Sequence, residues 1–247
     1  MIALYDNKVF DSTITAFTEN SGYLFSEGLK DTRLTKKGRT IDAANQWVKH
    51  DMQEVISASK FTILNHNFSG AAVVNLEANT IDDFTTPAFT HSVTIQENIY
   101  ELFSVQDYRY WRITVDDPTN PDGFIEFGYD FIGVETLFPG MDLGAELPVD
   151  DTSVVDTSPT GERYADKRIF LEQNTFNFAG MSQANNNEIT LMYKTVGKFR
   201  PFISIRYEEN LVEFPMFYCA FNMPLSWQKV AGPGLLYNLN IQLIEAK

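Results

Sequence analysis

The sequence predicts an all-β fold, and three observations predict it. Segments rich in Val, Ile, Phe, Tyr and Thr alternate in polarity, Gly, Pro, Asn and Asp punctuate them, and segments with helical periodicity are few. In chain order the strand segments are Ser59–Leu64, Ala71–Ala78, His91–Gln96, Tyr108–Val115, Gly123–Phe131, Glu188–Lys194, Pro201–Tyr207, Leu211–Ala220 and Leu235–Ile244. The best helical candidate is Ile41–Met52, where Ala43, Ala44 and Trp47 fall on one helical face. Its second half, Gln46 to Asp51, alternates instead, and a strand is the preferred reading there. Trp47, Phe61, Ile63, Trp111, Ile113 and Ile125 are expected to face one core, each contributing on the order of 1.5–3 kcal/mol when buried.

With 247 residues, the chain has room for one large β-domain or two modest ones. A boundary is read at residues 139–161. There Pro139-Gly140 and Pro148 bracket a weakly apolar stretch, followed by Asp150-Asp151-Thr152-Ser153 and Ser158-Pro159-Thr160-Gly161. Residues 1–138 then form one domain, 139–161 an exposed connector, and 162–247 a smaller β-rich domain, with Asn185-Asn186-Asn187 as a turn. The stretch from Asp116 to Gly123 reads as a reversal between strands: the residue before Pro118 is pushed out of helical geometry, and Asp122-Gly123 suits a tight turn.

Composition narrows function. A net charge of −14, from 19 Lys and Arg against 33 Asp and Glu, argues against nucleic acid, whose affinity depends on cations releasing counterions. The lone Cys219 excludes an intrachain disulfide. Its neighbours Phe217, Tyr218, Ala220 and Phe221 suggest a buried, inert thiol. Met1-Ile2-Ala3-Leu4-Tyr5 passes into polar sequence without the charged start and apolar core of a leader, so synthesis in a host cytoplasm is expected. No apolar run approaches the ~20 residues that span a bilayer, and no membrane partner is expected.

Several residues resemble, in order, the discoidin-like, galactose-binding-like β-sandwich of structural proteins in tailed bacteriophages. They are Gln46 to Asp51, Ser59 to Gly70 with its Asn65-His66-Asn67, Val73 to Asn79, and Tyr108 to Gly128 with its Tyr110-Trp111-Arg112 and Asp-Pro-rich hairpin. The match runs over Thr13–Val134, and the region after Gly161 is similar in strand order to the C-terminal halves of the same proteins. The resemblance implies a jelly-roll type sandwich followed by an assembly domain. It also implies a non-enzymatic virion component in the tail tip, distal tail or baseplate, whose partners are other tail proteins and copies of itself. The alternative is a carbohydrate-binding module for a host surface glycan.

Candidate sites are few. His50, His66 and His91 are too scattered for a metal motif, and His66 is expected to satisfy backbone groups at a turn. Asp116, Asp117 and Asp122, beside Asn120, are calcium candidates against the plainer reading of a solvated turn. Asp82-Asp83 and Asp150-Asp151 read as exposed loop charge. No Gly-x-Ser-x-Gly elbow, phosphate loop or dinucleotide fingerprint is present, no local feature singles out a pair of catalytic acids, and no cofactor is expected. Tyr23, Phe25, Phe68 and Phe84, in or near predicted loops, are candidates to stack on a sugar or anchor an interface. Open edges on Glu213–Phe221 and Leu235–Ile244 are expected to drive oligomerisation.

Overall fold

The computed structural model describes residues 1–138, 149–151, 153–166, 170–206, 208, 211, 216–230 and 236–246. It is all-β, with strands β1 (Ile2–Leu4), β2 (Thr13–Ala16), β3 (Gly38–Arg39), β4 (Gln46–His66), β5 (Val73–Asn79), β6 (Phe89–Val93), β7 (Ile99–Asp116) and β8 (Glu126–Gly133). There follow β9 (Thr136–Leu137), β10 (Val149–Asp151), β11 (Val154–Thr157), β12 (Arg163–Asp166), β13 (Phe170–Ser182), β14 (Phe202–Ile205), β15 (Phe217–Phe221), β16 (Ser226–Lys229) and β17 (Leu236–Glu245). Among the described residues they are interrupted by a short 3-10 helix at Lys8–Asp11 and by the α-helices α1 (Phe25–Gly28) and α2 (Gln183–Val196).

The chain divides into two compact units, Asp6–Thr136 and Met1–Tyr5 with Leu137–Ala246. The first strand therefore goes with the C-terminal part, where the sequence reading joined it to residues 1–138. β1 pairs with β14, Ile2 opposite Ile205 and Leu4 opposite Ile203, so the sandwich unit is an insertion between the first strand and the remainder of its own sheet.

Within Asp6–Thr136 the strand order is β3-β8-β4-β7-β5-β6, with β2 also paired to β4. The long strands β4 and β7 run through it, and their register shifts between Asp51 and Ile56 and again between Ala58 and Lys60. Such bulges bend a strand and let it serve both layers of a sandwich. Gln53 adopts φ 65° at the first of them. Phe61, Ile63, Leu76, Ile99, Trp111, Ile113 and Phe127 are fully buried and form the heart of this core.

In the second unit the order is β10-β13-β17-β15-β14-β1-β9, with β16 on β17. Phe176, Phe178, Met192, Phe202, Phe221, Ile241 and Leu243 build its core. α2 replaces the strand expected at Glu188–Lys194 and the turn expected at Asn185 to Asn187. Ser182 caps it by accepting from the Asn185 N–H at 3.2 Å, and Gly197 ends it at φ 56°. Ile189, Met192 and Val196 are its buried residues, spaced as one helical face, whereas alternate Leu191 is 58% exposed.

Part of the expected connector, residues 139–148 and 152, lies outside the described residues. The rest is not merely a linker, because β10 pairs with β13 and β11 forms a hairpin with β12. The open edges expected on Glu213–Phe221 and Leu235–Ile244 are also corrected. β15 lies between β14 and β17, and β17 lies between β13 on one side and β15 and β16 on the other. Residues 213–215 lie outside the described set.

Candidate functional site

Register decides which side chains of the sandwich meet solvent. Trp47 stands opposite Thr114, Lys49 opposite Arg112 and Asp51 opposite Tyr110, while Glu77 meets Arg112 from the other side. Opposed residues share a face. Val48, Trp111, Ile113 and Leu76 turn into the core, so Trp47, Lys49, Arg112 and Glu77 lie on the outer face. This corrects the expectation that Trp47 belongs to the core. A one-residue change of parity moves a side chain from core to surface.

Over this face comes the loop 80–88, pinned by local hydrogen bonds. Asn79 Nδ2 donates to the Asp83 carbonyl at 2.6 Å, and the Thr85 N–H donates to Asp83 Oδ1 at 2.8 Å. That N–H holds the Asp83 carboxyl below the usual carboxylate range. The result is a cavity of about 360 Å³ lined by Trp47, Lys49, Asp82, Asp83, Phe84, Thr85 and Arg112. Lys49 Nζ donates to Asp82 Oδ1 at 2.6 Å and Oδ2 at 2.8 Å. Arg112 Nε donates to Glu77 Oε2 at 2.7 Å, an Arg112 Nη donates to the Phe84 carbonyl at 3.3 Å, and the guanidinium lies 4.3 Å from the centroid of the Phe84 ring. One cation therefore fixes both the backbone and the ring of Phe84. Trp47 has Phe17, 58% exposed, at 5.9 Å between ring centroids.

Two cations face the three carboxylates Asp82, Asp83 and Glu77, so there is no surplus positive charge to attract a phosphate or sulfate. Asp83 is shifted opposite to what a general acid needs, and Asp82 is committed to Lys49. The chemistry on offer is recognition of a neutral ligand by rings and by fixed polar groups.

The four aromatic candidates separate. Phe84 lines the cavity. Tyr23 is 45% exposed, with the Arg39 guanidinium 4.2 Å from its ring; Phe124 meets the same guanidinium at 4.0 Å. Phe25 and Phe68 are not available to a ligand or an interface. Phe25 is fully buried, 5.0 Å from Phe127 between ring centroids, in space left by Gly38, where a Cβ would run into its ring. Phe68 is buried and stacks on His66 at 4.4 Å. The sequence reading missed Phe17 and the outward Trp47; the signal available was the apolar parity of Val48, Met52 and Ile56, which sets Trp47 on the other face.

The calcium candidates are each drawn to protein donors. Asp117 is fully buried and accepts from the Ser69 N–H at 2.8 Å, Ser69 Oγ at 2.6 Å and Asn120 Nδ2 at 2.9 Å. Burial alone would raise its pKa, yet these bonds outweigh it and hold the carboxyl low. Asp116 accepts from the Asn45 N–H and Asp122 from Asn67 Nδ2. Among the described residues no group of three or more His, Cys, Asp or Glu converges as metal ligands. Asn120 accepts from the Asp122 N–H and Gly123 adopts φ 72°, so this stretch is a hydrogen-bonded reversal between β7 and β8.

The histidines are separate too. His50 Nε2 lies 2.9 Å from Asp130 Oδ2, both fully buried, and His91 Nε2 lies 3.0 Å from Glu101 Oε2. His66 accepts the Phe68 N–H on Nδ1 at 3.1 Å and donates from Nε2 to the Gln96 carbonyl at 2.8 Å. That arrangement needs the neutral imidazole, and burial lowers its pKa in the same sense. Cys219 is buried, and desolvation raises its thiol pKa well above the usual value, as befits an inert core thiol.

No known protein family and no curated protein matches the chain. Solved structures similar to about half of it include the lectin domain of lectinolysin complexed with Lewis B antigen, at 11% identity and TM-score 0.41, covering 51% of this chain and 95% of that one. Chitosan-binding module 1 of a chitosanase/glucanase from Paenibacillus sp. IK-5 aligns at 14% identity and TM-score 0.42, covering 52% and 98%. The family 32 carbohydrate-binding module of C. perfringens NanJ in complex with galactose aligns at 16% identity and TM-score 0.41, covering 53% and 98%.

Proposed function

We propose that the unit Asp6–Thr136 is a non-catalytic carbohydrate-binding module that takes a neutral glycan in the groove beside Trp47. The observation that carries this reading is the outward-facing Trp47, set with Phe84 in a cavity whose two cations are already met by carboxylates. A pyranose ring presents a C–H face, which stacks on an aromatic ring, and an edge of hydroxyls that both donate and accept. Lys49, Asp82, Thr85 and Arg112 supply both kinds of partner, pre-oriented by the Lys49–Asp82 and Arg112–Glu77 pairs and by the Thr85 N–H bond to Asp83. The test is calorimetric titration with neutral glycans chosen from an array, on the whole chain and on Trp47→Ala. Binding lost in the variant supports the groove; binding that survives Trp47→Ala unchanged, or no binding by the whole chain, refutes it.

A second reading is favoured by the insertion of this module between β1 and the rest of its neighbour's sheet. An insertion displays one unit from a body that remains closed through its own strands. We infer that the discontinuous unit is such a body, serving as a structural component of a bacteriophage tail, with other tail proteins and copies of itself as partners. The virion placement rests on the resemblance carried by Asn65 to Gly70 and Tyr110 to Gly128. Labelling of this chain in intact particles tests it, and a signal confined to the soluble fraction of infected cells would remove it.

A further inference from the structure

Every residue of β11 and β12 is exposed, on both faces of the ribbon. A two-stranded ribbon is marginal in water without a cover, and this one pairs with no other strand among the described residues. Its exposed side chains include large apolar ones, Val154 at 42%, Val155 at 43% and Tyr164 at 60%. The register sets Val154 opposite Asp166 and Asp156 opposite Tyr164, so Val154, Asp156, Tyr164 and Asp166 share one face: a ring and an aliphatic side chain beside two carboxylates.

The same unit carries a surface of matching chemistry. On the outer face of β13, β17 and β16, Asn177 stands opposite Asn240, Ser226 opposite Asn240 and Gln228 opposite Asn238. These residues line a cavity of about 340 Å³, with Ala179 beside them and no charged side chain among its lining residues. Two of the amides have spent their oxygens. Asn177 Oδ1 accepts from Asn240 Nδ2 at 2.6 Å, and Asn238 Oδ1 accepts from the Gly180 N–H at 3.1 Å. Each keeps its Nδ2 donor pair to offer.

We propose that the β11–β12 hairpin is an arm that seats Val154 and Tyr164 in this amide groove on a second copy of the chain. Hydrogen-bonding complementarity selects the occupant, and charge selects the place. At net −14 two copies repel one another, and an uncharged surface is where they meet at least cost. The unspent amide donors face the carboxylate of Asp156 and the Tyr164 hydroxyl, which at present donates to exposed Glu162 at 2.8 Å. An arm on one copy and a groove on the next is a head-to-tail contact, which closes into a ring or propagates as a filament.

The test mixes two full-length variants, Tyr164→Cys and Asn240→Cys, under mild oxidation, with Val154→Cys and Gln228→Cys as an independent pair. Native Cys219 is buried and out of reach. Disulfide-linked dimers in the mixtures and not in either variant alone, together with weaker self-association of Tyr164→Ala by light scattering, are the expected results. Wild-type chain that stays at monomer mass up to the highest attainable concentration overturns the proposal. So do mixtures that fail to cross-link in both pairs, and so does Tyr164→Cys cross-linking to itself, which would mean that arm meets arm.

Discussion

The groove beside Trp47 and the groove beside Asn240 are nearly equal in volume, about 360 and 340 Å³, and are built from opposite chemistry. The first uses rings and ion pairs, with Arg112 locking Phe84 and Lys49 holding Asp82. The second draws its polar groups from amides and a hydroxyl, with no charged side chain among its lining residues. In the first, the ion pairs consume the charge that would otherwise select charged ligands, which leaves stacking and hydrogen bonding to discriminate. In the second, the absence of charge adds nothing to the repulsion that an acidic chain exerts on its own copies. Each groove is therefore suited to what the other would handle poorly: a polyol needs a ring to stack on, and a like-charged neighbour needs a neutral seat.

If the two regions are independent, damage to one leaves the other working, and the largest expected effect tests this. Asp117→Ala deprives the Ser69 N–H, Ser69 Oγ and Asn120 Nδ2 of their buried acceptor. It should lower the stability of the sandwich unit by about 3 kcal/mol in urea unfolding. Cross-linking between the Tyr164→Cys and Asn240→Cys chains should persist in its presence. A cross-link that disappears with Asp117→Ala would show that the units stand or fall together.

Next in size is Trp47→Ala, expected to weaken glycan binding by about tenfold, on the order of 1.4 kcal/mol. Tyr164→Ala should leave that affinity unchanged, and if it also weakens binding the two grooves do not divide the work as described. A smaller loss, about threefold, is expected for Arg112→Lys. A lysine keeps the charge beside Glu77 but cannot also donate in a fork to the Phe84 carbonyl and cover the Phe84 ring. A loss equal to that of Trp47→Ala would mean that Arg112 touches the ligand itself rather than holding Phe84 in place.

How far this division could be read from the sequence depended on parity. The all-β class was legible because alternation is a strong local signal, and Phe61, Ile63, Trp111, Ile113 and Ile125 are buried as that signal implied. Trp47 was misplaced because the bulge between Ala58 and Lys60 switches the core parity along β4, so the parity of its first half cannot be inferred from Phe61 and Ile63. Helix α2 was missed because Ile189, Leu191 and Tyr193 also alternate as a strand would. Only the buried spacing of Ile189, Met192 and Val196 between Ser182 and Gly197 distinguishes it. The displacement of β1 into the second unit has no local signature, since its partner β14 is about two hundred residues away in sequence. The amide groove was invisible for the same reason: Asn177, Gln228 and Asn240 meet only through the register of three strands.

The smallest expected effect concerns pH, and it separates the two regions on composition alone. All three histidines, His50, His66 and His91, lie in Asp6–Thr136. His66 is held neutral in the fold, because its Nδ1 accepts the Phe68 N–H and burial lowers its pKa. Its folded pKa lies below its unfolded one, so the unfolded chain binds the extra proton first. The stability it contributes is therefore complete above the ordinary imidazole value and is lost as pH falls from there through the lowered folded pKa. The sandwich transition should accordingly weaken across that window, with a shallower slope in His66→Gln. Self-association through the arm and the amide seat, read by light scattering rather than by the thiolate-dependent cross-link, should stay level over the same range, because no histidine lies in the unit that bears them.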